Sequence, residues 1–114
     1  MASKKTLEEA ADRAAALLRA LAHPGRLRIV CALRDAELPA GQLARLAGLT
    51  PPALSQQAAI LAAEGLLARR REARSVHYRL VGEESRAVAG LLEEIYCGGG
   101  RGLRWSPTTK REAR

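Results

Sequence analysis

The side chains of this sequence that could do chemistry are two cysteines, two histidines and a dense cluster of arginines. Cys31 and Cys97 carry thiols, which can serve as nucleophiles, as metal ligands or as the two halves of a disulfide. His23 and His77 could act as a base beside a cysteine, but nothing in the sequence orients either of them to do so. The sequence also lacks a glycine-rich phosphate loop, a serine–histidine–aspartate set and a plausible carboxylate pair, so we do not expect an enzyme.

Five arginines between residues 69 and 79 face a single acidic residue, Glu72. Guanidinium groups match phosphate oxygens in shape and charge, although such a run can also be a solvated strand face. The whole chain has a net charge of +7, and residues 98–114 contribute five basic residues against one acidic residue. A basic excess concentrated in two segments indicates a polyanionic partner rather than a uniformly charged surface.

A helix, a tight turn and a second helix come directly before the arginines. Residues 41–47 have apolar side chains at helical spacing, and Gly48 can end that helix because glycine adopts the left-handed conformation without strain. Thr50 can cap a second helix over residues 52–64. Two helices joined by a turn of this length form a helix-turn-helix, whose second helix enters the major groove of DNA.

The second helix has a polar face and an apolar face, as a helix that both reads DNA and packs on a core must have. Ser55, Gln56 and Ala59 lie on the face away from the core, and we expect Ser55, Gln56 and Gln57 to contact base edges. The apolar stripe, which should face the core, consists of Leu54, Ala58 and Leu61.

A β-hairpin is predicted after this helix. We predict two strands, at residues 66–71 and 75–80, joined by a turn at residues 72–74. Apolar side chains alternate along the second of these strands. A helix-turn-helix followed by a hairpin is a winged helix, and we expect its wing to hold the DNA backbone or the minor groove. The DNA-contacting residues predicted for the whole motif are Thr50, Ser55, Gln56, Gln57, Arg69, Arg70, Arg71 and Arg74.

Three further helices are predicted around this motif. They cover residues 7–21, with Thr6 as the cap, residues 25–34 and residues 85–97, and a loop spans residues 35–39. The predicted fold is therefore mainly α with a β-hairpin wing, in the order α-α-α-α-β-β-α.

One domain over residues 7–97 accounts for this fold, between an N-terminal tail of residues 1–6 and a basic flexible tail of residues 98–114. The first and last helices are more apolar than a winged helix alone requires. Since most readers of this type are two-fold dimers, we assign those helices to a homodimer interface. Alternatively, the first and last helices could serve only to cover the core of their own domain.

The sequence contains no signal for a membrane or for export. No apolar run approaches the roughly 20 residues that span a bilayer, and the first residues lead into an amphipathic stretch rather than an apolar one. We therefore expect a cytoplasmic protein with no membrane partner.

Three segments in the correct order resemble the ArsR/SmtB family of winged-helix transcriptional repressors, over about residues 7–97. They are residues 21–27 with the sequence LAHPGRL, residues 53–57 with ALSQQ, and the wing between residues 64 and 80. The resemblance implies a homodimer that represses transcription by binding double-stranded operator DNA. Gln57 departs from the pattern, because this recognition-helix position is usually histidine in the family.

Many members of this family sense metals, and their ligands are missing from this sequence. One family site uses a Cys-x-Cys pair where this chain has residues 37–43 without a thiol, and another uses aspartate and histidine on the last helix, where residues 85–97 have neither. We therefore expect no metal and no cofactor. Two alternatives stay open: a metal-responsive repressor with an unrecognised site, and a winged-helix protein-interaction module without a thiol switch, which would not need five arginines in its wing.

The two cysteines resemble the persulfide- and redox-responsive branch of the same family, in the settings Ile29-Val-Cys31 and Ile95-Tyr-Cys97. That resemblance implies that a reactive sulfur species or another oxidant links the two sulfurs, by a disulfide or a polysulfide bridge, and releases the operator. From the residues alone, Cys31 could be a small buried apolar side chain and Cys97 a bystander at a helix end. Both lie near helix C-termini, where the helix dipole disfavours a thiolate.

Overall fold

A computed structural model describes the backbone of residues 4–98 and the side chains of residues 5–96. The predicted basic tail therefore lies outside the described residues apart from Gly98, as do residues 1–3 of the predicted N-terminal tail. Within the described part, none of the helices combines the length and the apolarity needed to cross a bilayer. In chain order the elements are α1 (Lys4–Leu21), α2 (Pro24–Ala32), β1 (Leu38–Pro39), α3 (Ala40–Ala47), α4 (Pro51–Ala63), β2 (Leu67–Glu72), β3 (Ser75–Leu80), α5 (Glu84–Glu93) and a π-helical segment, α6 (Glu94–Gly98).

The core lies between α2, α3, α4 and the sheet, and it consists mainly of apolar side chains. Ile29 and Leu33 come from α2 and the residue after it, Leu43 comes from α3, and Leu61 comes from α4; all four are fully buried. The predicted apolar stripe of α4 is confirmed, because Leu54, Ala58 and Leu61 are all buried. Burial of this stripe turns the opposite face of α4 toward solvent.

The wing is a three-stranded antiparallel sheet in the order β1-β3-β2, whereas two strands were predicted. The predicted loop over residues 35–39 is wrong in its last two residues, because Leu38 pairs with Tyr78 and Pro39 pairs with His77. A strand of two residues is too short to have an alternating pattern. It forms because the outer edge of β3 presents backbone groups that need partners.

The tip of the wing is tighter than predicted. Glu72 belongs to β2 and pairs with Ser75, so the turn contains only Ala73 and Arg74. Ala73 has a positive φ of 55°, a conformation that a two-residue hairpin turn demands and that usually selects glycine. The second strand was predicted correctly at Ser75–Leu80.

Several helix ends differ from the prediction. The first described residues are already helical, so Thr6 lies inside α1 and is not its cap. The second helix ends at Ala32 and not at residue 34, and it begins at Pro24 because His23 caps it: the His23 Nδ1 accepts hydrogen bonds from the backbone N–H groups of Gly25, at 2.9 Å, and Arg26, at 3.4 Å. The last helix changes to π-helical hydrogen bonding after Glu93.

The first and last helices keep large apolar side chains in solvent. On α1 these are Leu7 and Leu18, and on α5 and α6 they are Leu91 and Tyr96; each is more than half exposed. The described core does not use these side chains. The first and last helices therefore carry large apolar side chains that the fold of the single chain does not bury.

Candidate nucleic-acid interface

The N-terminus of α4 is set by a turn of Gly48, Leu49 and Thr50. Gly48 ends α3 in the left-handed conformation, with φ of 67° and ψ of 36°. Thr50 caps α4 as predicted, since its Oγ1 accepts a hydrogen bond from the Ala53 backbone N–H at 3.2 Å. Because α3 and α4 both pack on α2, this turn fixes the start of α4, where Pro51 and Pro52 are exposed.

The three predicted base-reading side chains are not equivalent. Ser55 and Gln56 are exposed, whereas Gln57 is half-buried. The Gln57 Oε1 accepts a hydrogen bond of 2.8 Å from Nη1 of Arg26, on α2. Arg26 was not among the residues predicted from the sequence, and no local spacing could have found this pair because the two positions are 31 residues apart.

The wing arginines also differ from one another. Arg69, Arg71 and Arg74 are exposed, and none of them has a carboxylate partner among the described residues. Arg70 is engaged on all three of its nitrogens. It donates to both carboxylate oxygens of Glu37, at 2.8 and 3.2 Å, and to Glu72 at 2.9 Å.

Glu37 and Arg70 connect the segment before β1 to the wing as a charged pair. The hydrogen bond from Arg70 lowers the pKa of Glu37 below its ordinary value, and the same hydrogen bond together with that to Glu72 raises the pKa of Arg70. The pair is therefore ionised at neutral pH and would be lost only as pH falls through the lowered pKa of Glu37. The two carboxylates occupy three of the five guanidinium N–H donors of Arg70 and oppose its positive charge, so Arg70 is less available to a phosphate than its neighbours.

We expect Glu37→Gln to release Arg70 toward DNA. The neutral amide removes the charged acceptor that holds Nε and Nη2, and each additional phosphate that a cation neutralises steepens the slope of log affinity against log salt by about 0.9. A salt titration of binding to random-sequence duplex measures this slope. Glu37→Gln in an Arg70→Gln background is the control and should leave the slope of Arg70→Gln unchanged. An unchanged slope for the single variant would mean that Arg70 only positions the wing.

The two cysteines lie on parts of the chain that are joined through α5. Cys31 is half-buried on α2 beside the core, and Cys97 belongs to α6, the continuation of α5, where only its backbone is described. Arg34, just after α2, pairs with Glu93 at the end of α5, and Arg86 of α5 donates to the Arg34 carbonyl oxygen at 2.9 Å. These contacts hold the end of α2 against the helix that leads to Cys97.

The histidines serve the fold rather than a shared site. His23 caps α2, and His77 lies on β3, where its Nδ1 is buried without a hydrogen-bond partner. Among the side chains that the structure describes, residues 5–96, no three histidine, cysteine or acidic groups converge in a way that could hold a metal ion.

Comparison with known proteins identifies related sequences along most of the chain. Residues 23–69 match the sequence model of the family described as "Bacterial regulatory protein, arsR family". The matched region runs from the cap of α2 through the helix-turn-helix into β2. It therefore contains the whole of α4 and the first residues of the wing hairpin.

Two solved structures resemble this chain over almost their whole length. Reduced HlyU from Vibrio cholerae is 41% identical, with a TM-score of 0.76, and the match covers 80% of this chain and 96% of that one. The transcriptional repressor BigR from Xylella fastidiosa is 33% identical, with a TM-score of 0.77, and the match covers 85% of this chain and 99% of that one.

A third structure with this fold is described as a homodimer. It is the winged helix-turn-helix DNA-binding domain Mb0332 from Mycobacterium bovis, a possible ArsR-family transcriptional regulator. It is 26% identical to this chain, with a TM-score of 0.66, and the match covers 83% of this chain and 86% of that one.

Proposed function

Because this chain belongs to the ArsR family of bacterial regulatory proteins, we propose that it is a homodimeric repressor that binds a two-fold operator and releases it when Cys31 and Cys97 are linked. The observation that carries the DNA-binding part is the juxtaposition of two exposed surfaces. The exposed Ser55 and Gln56 of α4 and the unpaired wing arginines lie on elements that pack against each other and on a common core.

The chemistry of each side chain indicates whether it would contact the bases or the backbone of DNA. Ser55 and Gln56 are short polar groups on an exposed helix face and suit the hydrogen-bonding edges of bases in the major groove. Arg69, Arg71 and Arg74 lie on the wing and suit phosphates or the minor groove. Thr50 sits at the N-terminus of α4, where the helix dipole favours a phosphate.

The dimer is proposed from the apolar surface that one protomer leaves exposed. Leu7 and Leu18 on α1 and Leu91 and Tyr96 on α5 and α6 would be covered by a second copy of the chain. A two-fold dimer uses the same patch on both partners. It would place two copies of α4 on the same side of the DNA, about one helical turn or roughly 34 Å apart.

The switch is proposed from the position of one cysteine on α2 and the other on the continuation of α5, which packs against α2. Forming a disulfide removes two electrons and two protons from the thiols, and the oxidant accepts them. A sulfane-sulfur donor can act as that oxidant, because one sulfane sulfur atom takes up the two electrons and two protons and leaves as hydrogen sulfide, while further sulfur atoms can stay in the bridge. Either bridge would join α6 covalently to α2, and α2 packs against α4. A shift of the last helix at the dimer interface would then change the spacing between the two recognition helices.

Selection of operators from a randomised duplex pool, together with sedimentation, tests this proposal. We expect a dimer that enriches a two-fold site with half-sites about 34 Å apart. Arg71→Ala should weaken binding to every sequence and flatten the salt slope by about one unit, whereas Gln56→Ala should relax selection at one base pair. A monomer at micromolar concentration that enriches no sequence would overturn the proposal and favour a protein-interaction module.

A further inference from the structure

Gln57 differs from the two residues before it because its side-chain oxygen already has a partner. Oε1 accepts the hydrogen bond from Arg26 Nη1 at 2.8 Å. A guanidinium group has only donors, so the amide must turn its oxygen toward Arg26 and its nitrogen away. The orientation of this amide is therefore decided by its partner and not by the DNA.

Arg26 is itself held in place from within the fold. Its Nε donates to the carbonyl oxygen of Ala20, near the end of α1, at 2.6 Å. Its backbone N–H is one of the two that His23 caps. Arg26 is half-buried between α1, α2 and α4, so its guanidinium is a fixed donor rather than a mobile surface charge.

We propose that Arg26 determines the base preference of this protein at one position by committing Gln57 to hydrogen-bond donation. The inference rests on the proposed function, in which α4 lies in the major groove. An unrestrained glutamine pairs with adenine through both its oxygen and its nitrogen. With the oxygen held against a cation, Gln57 offers the groove its amide N–H groups.

The expected partner is a base edge that presents acceptors. Guanine offers the two acceptors N7 and O6 side by side and thymine offers only O4, next to its methyl group, whereas adenine and cytosine each present an amino group in the major groove. An amino group near Gln57 would have to approach an oxygen already bound to the Arg26 guanidinium, which repels a second donor. Gln57 should therefore select guanine and lose the usual preference of glutamine for adenine.

Gln56 provides a matched comparison on the same helix. It is exposed, and no hydrogen bond holds its side chain within the described part of the chain. Its amide can rotate to present both the oxygen and the nitrogen to one base. The two adjacent glutamines should therefore prefer different bases, because Arg26, which lies outside α4, holds only Gln57.

Operator selection with three variants tests the inference. In Arg26→Met the apolar stem is kept and the donors are lost, so the guanine-over-adenine ratio at the Gln57 position should fall by about five- to tenfold, the equivalent of roughly 1 kcal/mol of base discrimination. In Gln57→Glu the Arg26 partner is kept but no donor remains, so this position should change to cytosine, whose N4 amino group donates. Gln56→Ala, the control, should alter a different base pair.

The outcomes separate this inference from the proposed function. Loss of packing around Arg26 would lower the affinity for all sequences together and leave the base preference unchanged. Gln57→Glu does not remove Arg26, so it keeps the test valid if Arg26→Met folds poorly. Unaltered preferences in both variants would overturn the inference, whereas a wild-type protein that selects no operator would overturn the proposed function.

Discussion

Cys31→Ser and Cys97→Ser are each expected to abolish the response of operator binding to a sulfane-sulfur donor. Both variants should bind the operator in the absence of the donor, because neither cysteine belongs to α4 or the wing, which carry the proposed DNA contacts. The wild-type protein should lose affinity by about 5- to 150-fold on treatment, the usual range of an allosteric coupling free energy. The measurement is operator affinity of the three proteins, each before and after treatment.

The physical reason for this effect lies in the contact between α2 and the last helix. Arg34 pairs with Glu93, and Arg86 donates to the Arg34 carbonyl oxygen. A covalent bridge near this contact would fix two helices that ion pairs and hydrogen bonds otherwise hold reversibly. One of those helices carries core side chains that pack against the recognition helix, and the other is part of the proposed dimer surface.

Intact-mass measurement distinguishes the two forms of the bridge. A direct disulfide requires the two Cα atoms to come within about 7 Å, whereas a wider separation favours a bridge that contains additional sulfur. Each serine variant is the control for the other, because only the wild-type protein has both thiols. Full responsiveness in either variant, or unchanged affinity of the treated wild-type protein, would contradict the switch and leave the DNA-binding proposal intact.

Leu91→Glu is expected to convert the protein into a monomer and to weaken operator binding by about 10²- to 10⁴-fold. Leu91 is 55% exposed on α5, so the fold of the protomer does not depend on it. In a two-fold interface the substitution occurs twice and brings two carboxylates into an apolar contact. A monomer then loses the advantage of binding both half-sites at once.

Sedimentation and operator titration measure this prediction together. Leu46→Glu is the matched control for the oligomeric state, because Leu46 is 59% exposed but lies on α3, which is not part of the proposed interface. Leu18→Glu on α1 should act like Leu91→Glu, since Leu18 is 56% exposed on the proposed interface. A dimer that persists in both Leu18→Glu and Leu91→Glu would place the interface elsewhere.

The helix-turn-helix could be predicted from the sequence because the residues that determine it lie close together along the chain. Gly48 allows the left-handed turn, Thr50 caps α4, and the stripe of α4 recurs at helical spacing. The second strand of the wing was equally clear, since its apolar residues alternate. Each of these features depends on residues within a few turns of one helix or within one strand, so no tertiary contact is needed to recognise them.

Tertiary structure alone decided which polar side chains are available for DNA. Arg70 and Arg71 look identical in the sequence, but Arg70 is held by Glu37, which lies 33 residues away. Gln56 and Gln57 also look alike, but Arg26 engages only Gln57. A charged or amide side chain pairs with whatever the packing of other elements brings within about 3 Å, and neither local propensity nor spacing contains that information.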